Sequence, residues 1–590
     1  DPRPKPAVTP RLQPAAYAQV RLAHGPMLSQ RAHQHALYMG LDNDRLLKPF
    51  RVRAGLPAPG PDMGGWYDQS DDFVIDTHDW SKTNWHGYIP GHSFGQYLSG
   101  LARLYAVTGD AATRAKVASL VRDYAPTISP RFFDGYTLPA YTYDKIVIGL
   151  IDAYRYADVK EAAGALDKVT DAALPYLPER ALTREQRRKL PYASEAQIWD
   201  EPYTLPENLF KAWRLGLGQR YYDLAVRYLQ DEALFDPLAQ GVSPLKGRHA
   251  YSHVNALSSA IEAYLATGDE TYLRAAANGF AFIERQSFAT GGWGPNETLI
   301  GPDDDDALLT SLSQTHSSFE TPCGAYGHFK ITRSLLRLTG DSHYGDSMER
   351  VLYNTILGAL PTTPEGKTFY YSDYNRTAGK FYRPELWPCC SGTFIQLTAD
   401  YGVSAYLSNA RAVYVNLYLP SDLQTEIGGV GVRLRQTTDY PLADTVRIDV
   451  QPERPARFTL ALRMPAWAGP ATRVTVNGEA VPVAPGRFLR LERLWRAGDA
   501  VEIRFDMGLR LEALNAAHPD VVAVMTGPLV LMPLMESGAA PDAALSRDSL
   551  LAAGRTGPAQ WRVNGPQGPL TLAPFMAIGG ETYRLYSRVV

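Results

Sequence analysis

Three stretches share one punctuation: Tyr105-Ala106-Val107-Thr108-Gly109-Asp110, Tyr264-Leu265-Ala266-Thr267-Gly268-Asp269 and Leu336-Arg337-Leu338-Thr339-Gly340-Asp341. Glycine can take the left-handed conformation that ends a helix, and an aspartate beside it can accept the orphan N–H groups that begin the next. Repetition of this unit predicts helical hairpins, and hairpins that close on themselves form an α/α toroid. An open solenoid is the lesser alternative, and unrelated turns of shared chemistry would carry the same letters.

Outward from these turns the pattern stays helical between about Leu12 and Leu407, as in the apolar spacing of Tyr97-Leu98-Ser99-Gly100-Leu101-Ala102-Arg103-Leu104-Tyr105. After about Arg411 it changes to period two, in Val413-Tyr414-Val415-Asn416-Leu417-Tyr418-Leu419 and Arg457-Phe458-Thr459-Leu460-Ala461-Leu462-Arg463. Asn477-Gly478 between strand-like runs marks a hairpin. The expectation is a multidomain α plus β chain: an α/α-barrel domain with an N-terminal extension over residues 1–408, then one or two β-sandwich domains over 409–590. His518 is the only histidine of that second part and no cysteine lies there, so it reads as support or carbohydrate contact.

A chain of 590 residues with 45% hydrophobic and 21% charged residues has ample core for several domains. Its 59 basic and 62 acidic residues leave a net charge of −3, so no basic field points to nucleic acid. The 35 tyrosines against 19 phenylalanines suit a wettable cleft, because a phenol both stacks and hydrogen-bonds; a glycoside or oligosaccharide is the expected partner. No window approaches the ~18 apolar residues of a membrane span. The start Asp1-Pro2-Arg3-Pro4-Lys5-Pro6 fits a chain whose signal peptide has been removed, which favours a periplasmic or secreted protein over a cytoplasmic one.

The three cysteines exclude a disulfide framework and fall at two sites. Ser318-Phe319-Glu320-Thr321-Pro322-Cys323-Gly324 places a carboxylate three residues before a thiol, and Trp387-Pro388-Cys389-Cys390-Ser391-Gly392-Thr393 supplies two more. Glu320, Cys323, Cys389 and Cys390 would fill a tetrahedral Zn²⁺ shell, and zinc ionises a thiol that it binds. The spacing is not that of a zinc finger, and small buried thiols in a core are the plain alternative. A metal-held thiolate is structural or, where substrate reaches it, a nucleophile.

These residues resemble glycoside hydrolase family 127, the β-L-arabinofuranosidase family, over roughly residues 85–405. The resemblance implies a retaining glycosidase with an α/α-barrel and β-sandwich domains. It implies zinc on Glu320, Cys323, Cys389 and Cys390, with Cys389 as the nucleophile. Glu297, after Gly291-Gly292, would be the acid/base. Glu349 in Glu349-Arg350-Val351-Leu352-Tyr353-Asn354, His249 before Ala250, and His92 in Gly91-His92-Ser93-Phe94-Gly95 would bind substrate.

The chain departs from the family's pattern in reading Glu-Thr-Pro-Cys where members read Glu-x-Cys. It also carries the run Asp303 to Asp306, read as a solvated loop with Ca²⁺ the alternative, and Tyr143-Asp144-Lys145 where a further histidine is expected. His249 and His253 stand four apart and read as cleft walls, while Phe369 to Tyr374 and Glu201 to Asn208 could line sugar subsites or pack in the core.

Two other functions fit the same letters. A toroid-plus-sandwich polysaccharide lyase could use Tyr251, His253 and Arg248, and a non-catalytic glycan-binding protein could use zinc structurally.

Overall fold

The computed structural model describes residues 2–69, 88–190, 200, 202–535 and 543–590. Its helical part is built from α1 (Pro26–Met39), α2 (Phe94–Thr108), α3 (Ala111–Tyr124), α4 (Pro139–Tyr156), α5 (Glu161–Ala173), α6 (Leu205–Arg214), α7 (Gln219–Arg227), α8 (Ala250–Thr267), α9 (Glu270–Arg285), α10 (Thr321–Thr339), α11 (Ser342–Asn354) and α12 (Cys389–Ala399). Helices α2, α4, α6, α8, α10 and α12 pack each on the next, and α12 returns to α2, so the ring closes as a toroid rather than an open solenoid. Around it α3, α5, α7, α9 and α11 each pack on the inner helix that precedes them. The outer partner of α12 is α1, brought in from the start of the chain.

The repeated turns behave as their letters predict. Gly109, Gly268 and Gly340 have φ of 69°, 76° and 68°. Asp110, Asp269 and Asp341 accept from the N–H groups of Thr113, Thr271 and His343 at 3.2, 2.9 and 2.9 Å. The threonine adds a contact of its own: the hydroxyls of Thr108, Thr267 and Thr339 accept the aspartate N–H. Close crossing of α2 and α4 depends on glycine, because a Cβ on Gly95 would lie 1.8 Å from the Lys145 carbonyl oxygen and one on Gly149 2.4 Å from that of Gly95.

The β part divides in two. A five-stranded sheet, in the order Gln13–Pro14, Tyr406–Ser408, Ala412–Val415, Ala456–Met464 and Arg487–Trp495, faces a seven-stranded sheet running from Glu479–Val481 to Val20–Leu22. Val415, Leu460 and Leu462 of the first share a core with Leu434, Ile448 and Val501 of the second, which makes the expected sandwich. Asn477 and Gly478 turn its hairpin with φ of 50° and 83°. Gln13–Pro14 and Val20–Leu22 are strands of this sandwich, so the N-terminal extension is shared between helical and β parts.

The last sheet runs from Arg510–Ala513 to Gly554–Gly557. It lays Ala523, Met525, Val530 and Met532 into the core of the barrel and covers Val522, Val524 and Leu531 with a smaller cluster.

Candidate active site and metal centre

The N-terminal ends of the inner helices converge on one cup. Ile89 before α2, Leu138 before α4, Tyr251 in the first turn of α8, Cys323 in that of α10, and Cys389 and Cys390 opening α12 pack together with Trp66 and Tyr370. Helix N-termini carry partial positive charge, so this is the end of the barrel that favours anions such as thiolates.

Glu320 is the N-cap residue of α10 and Cys323 its third residue, which stand side by side on the first turn as the members of a capping box do. The Glu-Thr-Pro-Cys spacing is therefore one that brings carboxylate and thiol together, and Pro322 costs no hydrogen bond there. Cys323 Sγ lies 3.6 Å from Cys389 Sγ and 3.2 Å from Cys390 Sγ. Glu320 Oε1 lies 3.7 Å from Cys389 Sγ and 3.8 Å from Cys390 Sγ. A tetrahedron with metal–sulfur bonds of ~2.3 Å has edges of about 3.8 Å; three of these four separations come within about 0.2 Å of that, and the Cys323–Cys390 edge is about 0.6 Å shorter. Thr393 donates to Cys323 Sγ at 3.2 Å, the kind of supporting contact that orients a ligand. All four donors are buried, and they form one of two groupings suited to a metal among the described residues, the other being His249, Glu297 and Glu320.

The three thiols are not equivalent. Cys323 and Cys390 have no exposed surface, whereas Cys389 is 7% exposed towards the cup. Hydrogen bonds from Cys323 and Cys390, aided by the Lys145 charge and opposed by burial, hold the Cys389 thiol well below its ordinary range. Burial pushes the other two up.

Across the cup, His249 Nε2 lies 3.0 Å from Glu297 Oε1 and 3.8 Å from Glu320 Oε2. Tyr371 donates its hydroxyl to Glu297 Oε2. Burial would raise Glu297, but the hydrogen bond and charge of His249, with Tyr371, hold it well below the carboxylate range; burial and the charge of Glu297 push Glu320 up. Glu297 sits on strained backbone, since Asn296 and Glu297 have φ of 54° and 56°. The turn is pinned by Asn296 N–H to the Ser317 carbonyl at 2.8 Å and by Thr315 to Asn296 Oδ1 at 2.6 Å. On the other side of the cup Trp387, two residues before Cys389, is also left-handed, with φ of 50°.

Rings wall the cup. Trp66, His92, Tyr141, Tyr203 and Tyr251 follow one another with centroids 6.4, 6.2, 6.5 and 6.4 Å apart, and Tyr370 stands 6.2 Å from Trp66. Arg383 lies over Tyr370 and Trp66 at 4.5 and 4.8 Å. His92 is buried, and burial together with the Lys145 charge keeps its imidazole neutral.

The structure thus brings together Glu297, Glu320, Cys323, Cys389, Cys390, His249 and His92. Glu349 it places elsewhere: its carboxylate pairs with Arg463 Nη2 at 2.6 Å and accepts from Tyr440 at 2.5 Å and Trp467 at 3.3 Å, all residues of the sandwich. His253 is buried in α8 and donates from Nδ1 to the His249 carbonyl at 2.8 Å. Tyr203, Tyr370 and Tyr371 of the tyrosine-rich segments reach the cup, while Glu201 lies outside the described residues. Asp304 and Asp306 tie a surface loop to Lys246 and His518 at 3.1 and 2.7 Å. Trp66, Tyr141 and Arg383 were not singled out from the sequence, and Lys145 was noted only where a histidine was expected; a position at the mouth end of an inner helix is the signal that Tyr141 and Lys145, on the first two turns of α4, do carry.

Residues 19–403 match the family model of the beta-L-arabinofuranosidase GH127 catalytic domain, and residues 412–507 that of the GH127 middle domain. The fold is similar to that of a GH127 beta-L-arabinofuranosidase from Geobacillus stearothermophilus T6, at 18% identity over 97% of this chain and 100% of the other, with a TM-score of 0.72. A structure described as a GH127 beta-arabinofuranosidase aligns at 19% identity over 98% of both chains with a TM-score of 0.75, and one described as a glycoside hydrolase at 17% over 98% of both with 0.68. No curated protein matches the chain. The matched catalytic model spans well over half of the chain, which therefore belongs to the GH127 beta-L-arabinofuranosidase family and is a glycoside hydrolase.

Proposed function

We propose that the protein is a retaining exo-glycosidase of β-L-arabinofuranosides or a closely related glycan sugar, with Cys389 as nucleophile and Glu297 as acid/base. The observation that carries this reading is the difference among the thiols: only Cys389 keeps exposed surface, and it opens α12 with its Sγ 3.7 Å from Glu320, whose carboxylate lies 3.8 Å from His249, the partner of Glu297. Cys389 Sγ attacks the anomeric carbon while Glu297 gives its proton to the departing glycosidic oxygen. Glu297 then takes a proton from water, the oxygen bonds to the anomeric carbon, and the C–S bond breaks with its electron pair returning to sulfur, so two inversions give retention. The pair of carboxyl groups normal for retention is replaced here by a carboxyl and a thiolate.

Glu320, Cys323, Cys389 and Cys390 would hold a zinc ion, which when bound keeps the thiol ionised and makes sulfur a better leaving group. Ionised Glu320 would press on Glu297 by like charge and raise its pKa, giving it the proton that the first step needs. The aromatic wall supports a sugar ring as the substrate group.

Hydrolysis of a panel of nitrophenyl furanosides and pyranosides, with the anomer released followed by NMR, tests the reading. A β-L-arabinofuranoside or near relative should lead the panel with retention; inversion, or full turnover by Cys389→Ala, overturns it. Products that absorb in the ultraviolet as unsaturated uronides would instead favour a lyase.

A further inference from the structure

We infer that the cavity at the junction of barrel, sandwich and last sheet is a second carbohydrate site, suited to a sugar that bears a carboxylate. The cavity has a volume of about 520 Å³ and is walled by α9 and α11 of the barrel, Trp467 of the sandwich, and Arg510 and Glu512 of the last sheet. That volume lies within the ordinary range for small-molecule sites.

Its charges are almost all paired. Glu284 meets His343 at 2.7 Å, and Glu512 meets Arg350 at 2.6 Å. Asp346 and Glu349 are both taken by Arg463. Arg510 is the exception. Its Nη1 donates to the Gly527 carbonyl at 2.8 Å, and no carboxylate lies within salt-bridge distance of it among the described residues. Burial first and the neighbouring Arg350 second, against the pull of Glu512 and Glu349, push its guanidinium down to about 10.

A neutral hydroxyl would meet one donor of that fork, whereas a carboxylate meets two at once. Trp467 gives the apolar wall on which a sugar ring packs. Its Nε1 is anchored to Glu349 at 3.3 Å, and its ring rests against Phe505 with centroids 5.4 Å apart. The paired Glu284 and Glu512 keep acceptor lone pairs for hydroxyls. The site backs onto the segment that leads to Glu297, since Arg350 also donates to the Ala289 carbonyl at 3.0 Å, yet it uses none of the residues of the cup and stands whether or not Cys389 is the nucleophile.

Calorimetric titration of the full chain with D-galacturonate and with D-galactose tests the inference. Galacturonate should bind at least about tenfold more tightly than galactose, and equally in Cys389→Ala. Arg510→Gln and Trp467→Ala should each weaken it about tenfold or more; should Arg510→Gln not fold, Arg510→Lys carries the same expectation, because an ammonium lacks the planar fork. Absence of binding, equal affinity for both sugars, loss of binding in Cys389→Ala, or indifference to the Arg510 and Trp467 changes would each overturn it.

Discussion

His249 holds Glu297 with one ring nitrogen and its own helix with the other. Nδ1 accepts the Ser252 N–H at 3.3 Å, which leaves Nε2 to donate to Glu297 at 3.0 Å. That hydrogen bond lowers the pKa of Glu297. In His249→Ala the folded-state pKa of Glu297 rises, its protonated form persists to higher pH, and the alkaline limb of kcat/KM should move up by about one unit, equivalent to ~1.4 kcal/mol. The lost cap should also cost about 1 kcal/mol of stability. A pH–rate profile and a melting curve measure the two effects separately.

The exposure of Cys389 against the enclosure of Cys390 separates two vicinal variants. Cys389→Ala should lower kcat by about 10⁴-fold or more, as loss of a nucleophile does. Cys390→Ala should lose bound metal first, with activity following it. Chelation of the wild type should lower Tm, because the folded state loses the linked binding free energy, about 4 kcal/mol where metal stands a thousandfold above its Kd. Elemental analysis beside kinetics distinguishes the cases.

Arg463 is fully enclosed and is shared by Glu349 and Asp346. Arg463→Met leaves the buried Glu349 carboxylate and the half-buried Asp346 short of their partner and should cost about 3–5 kcal/mol. Glu349→Gln should lower Tm with KM unchanged, because the carboxylate faces the sandwich; a selective rise in KM would place Glu349 at the substrate.

A methyl group at Gly95 would meet the backbone of α4. Backbone cannot yield as a side chain can, so Gly95→Ala should destabilise the barrel by about 3 kcal/mol or more. Circular dichroism and denaturant titration of Gly95→Ala beside Gly164→Ala, whose Cβ meets nothing within 4 Å, give the comparison.

Gly366 supports the turn before the thiols. Its φ is 104°, and a Cβ there would lie 2.3 Å from the ring of Trp387. Gly366→Ala should displace Trp387 and so lower both Tm and turnover, with metal content falling in step. Unchanged metal content would show that the turn does not hold Cys389 and Cys390 in place.

Legibility followed locality. Thr-Gly-Asp turns are made of contacts between neighbours, so three hairpins could be read directly; the turn after α4 uses Asp158 and the one after α6 uses Gly216 and Gly218, and these carry no common letters. The α1–α12 hairpin was unreadable because its members stand at opposite ends of the helical part. At the site, Glu320 and Cys323 are joined by one helical turn and could be paired from spacing. The direction that Glu349 faces depends on Arg463, 114 residues away, and no local motif contains that information. Lys145 acts through burial beside the thiols and Arg383 through its place over the rings, which composition does not register.

The seating of α1 on α12 sets an order on synthesis. Leu12 N–H bonds to the Arg337 carbonyl, Ala15 N–H to Tyr406, and the Tyr17 hydroxyl to Asp400, so the earliest residues find their partners only after some of the last helical ones exist. At ribosomal rates of ~5–20 residues per second that is a delay of tens of seconds. During it α2 to α11 can stack hairpin on hairpin, but α12 has not been made, so the thiols of Cys389 and Cys390 can join Cys323 only once the last inner helix exists.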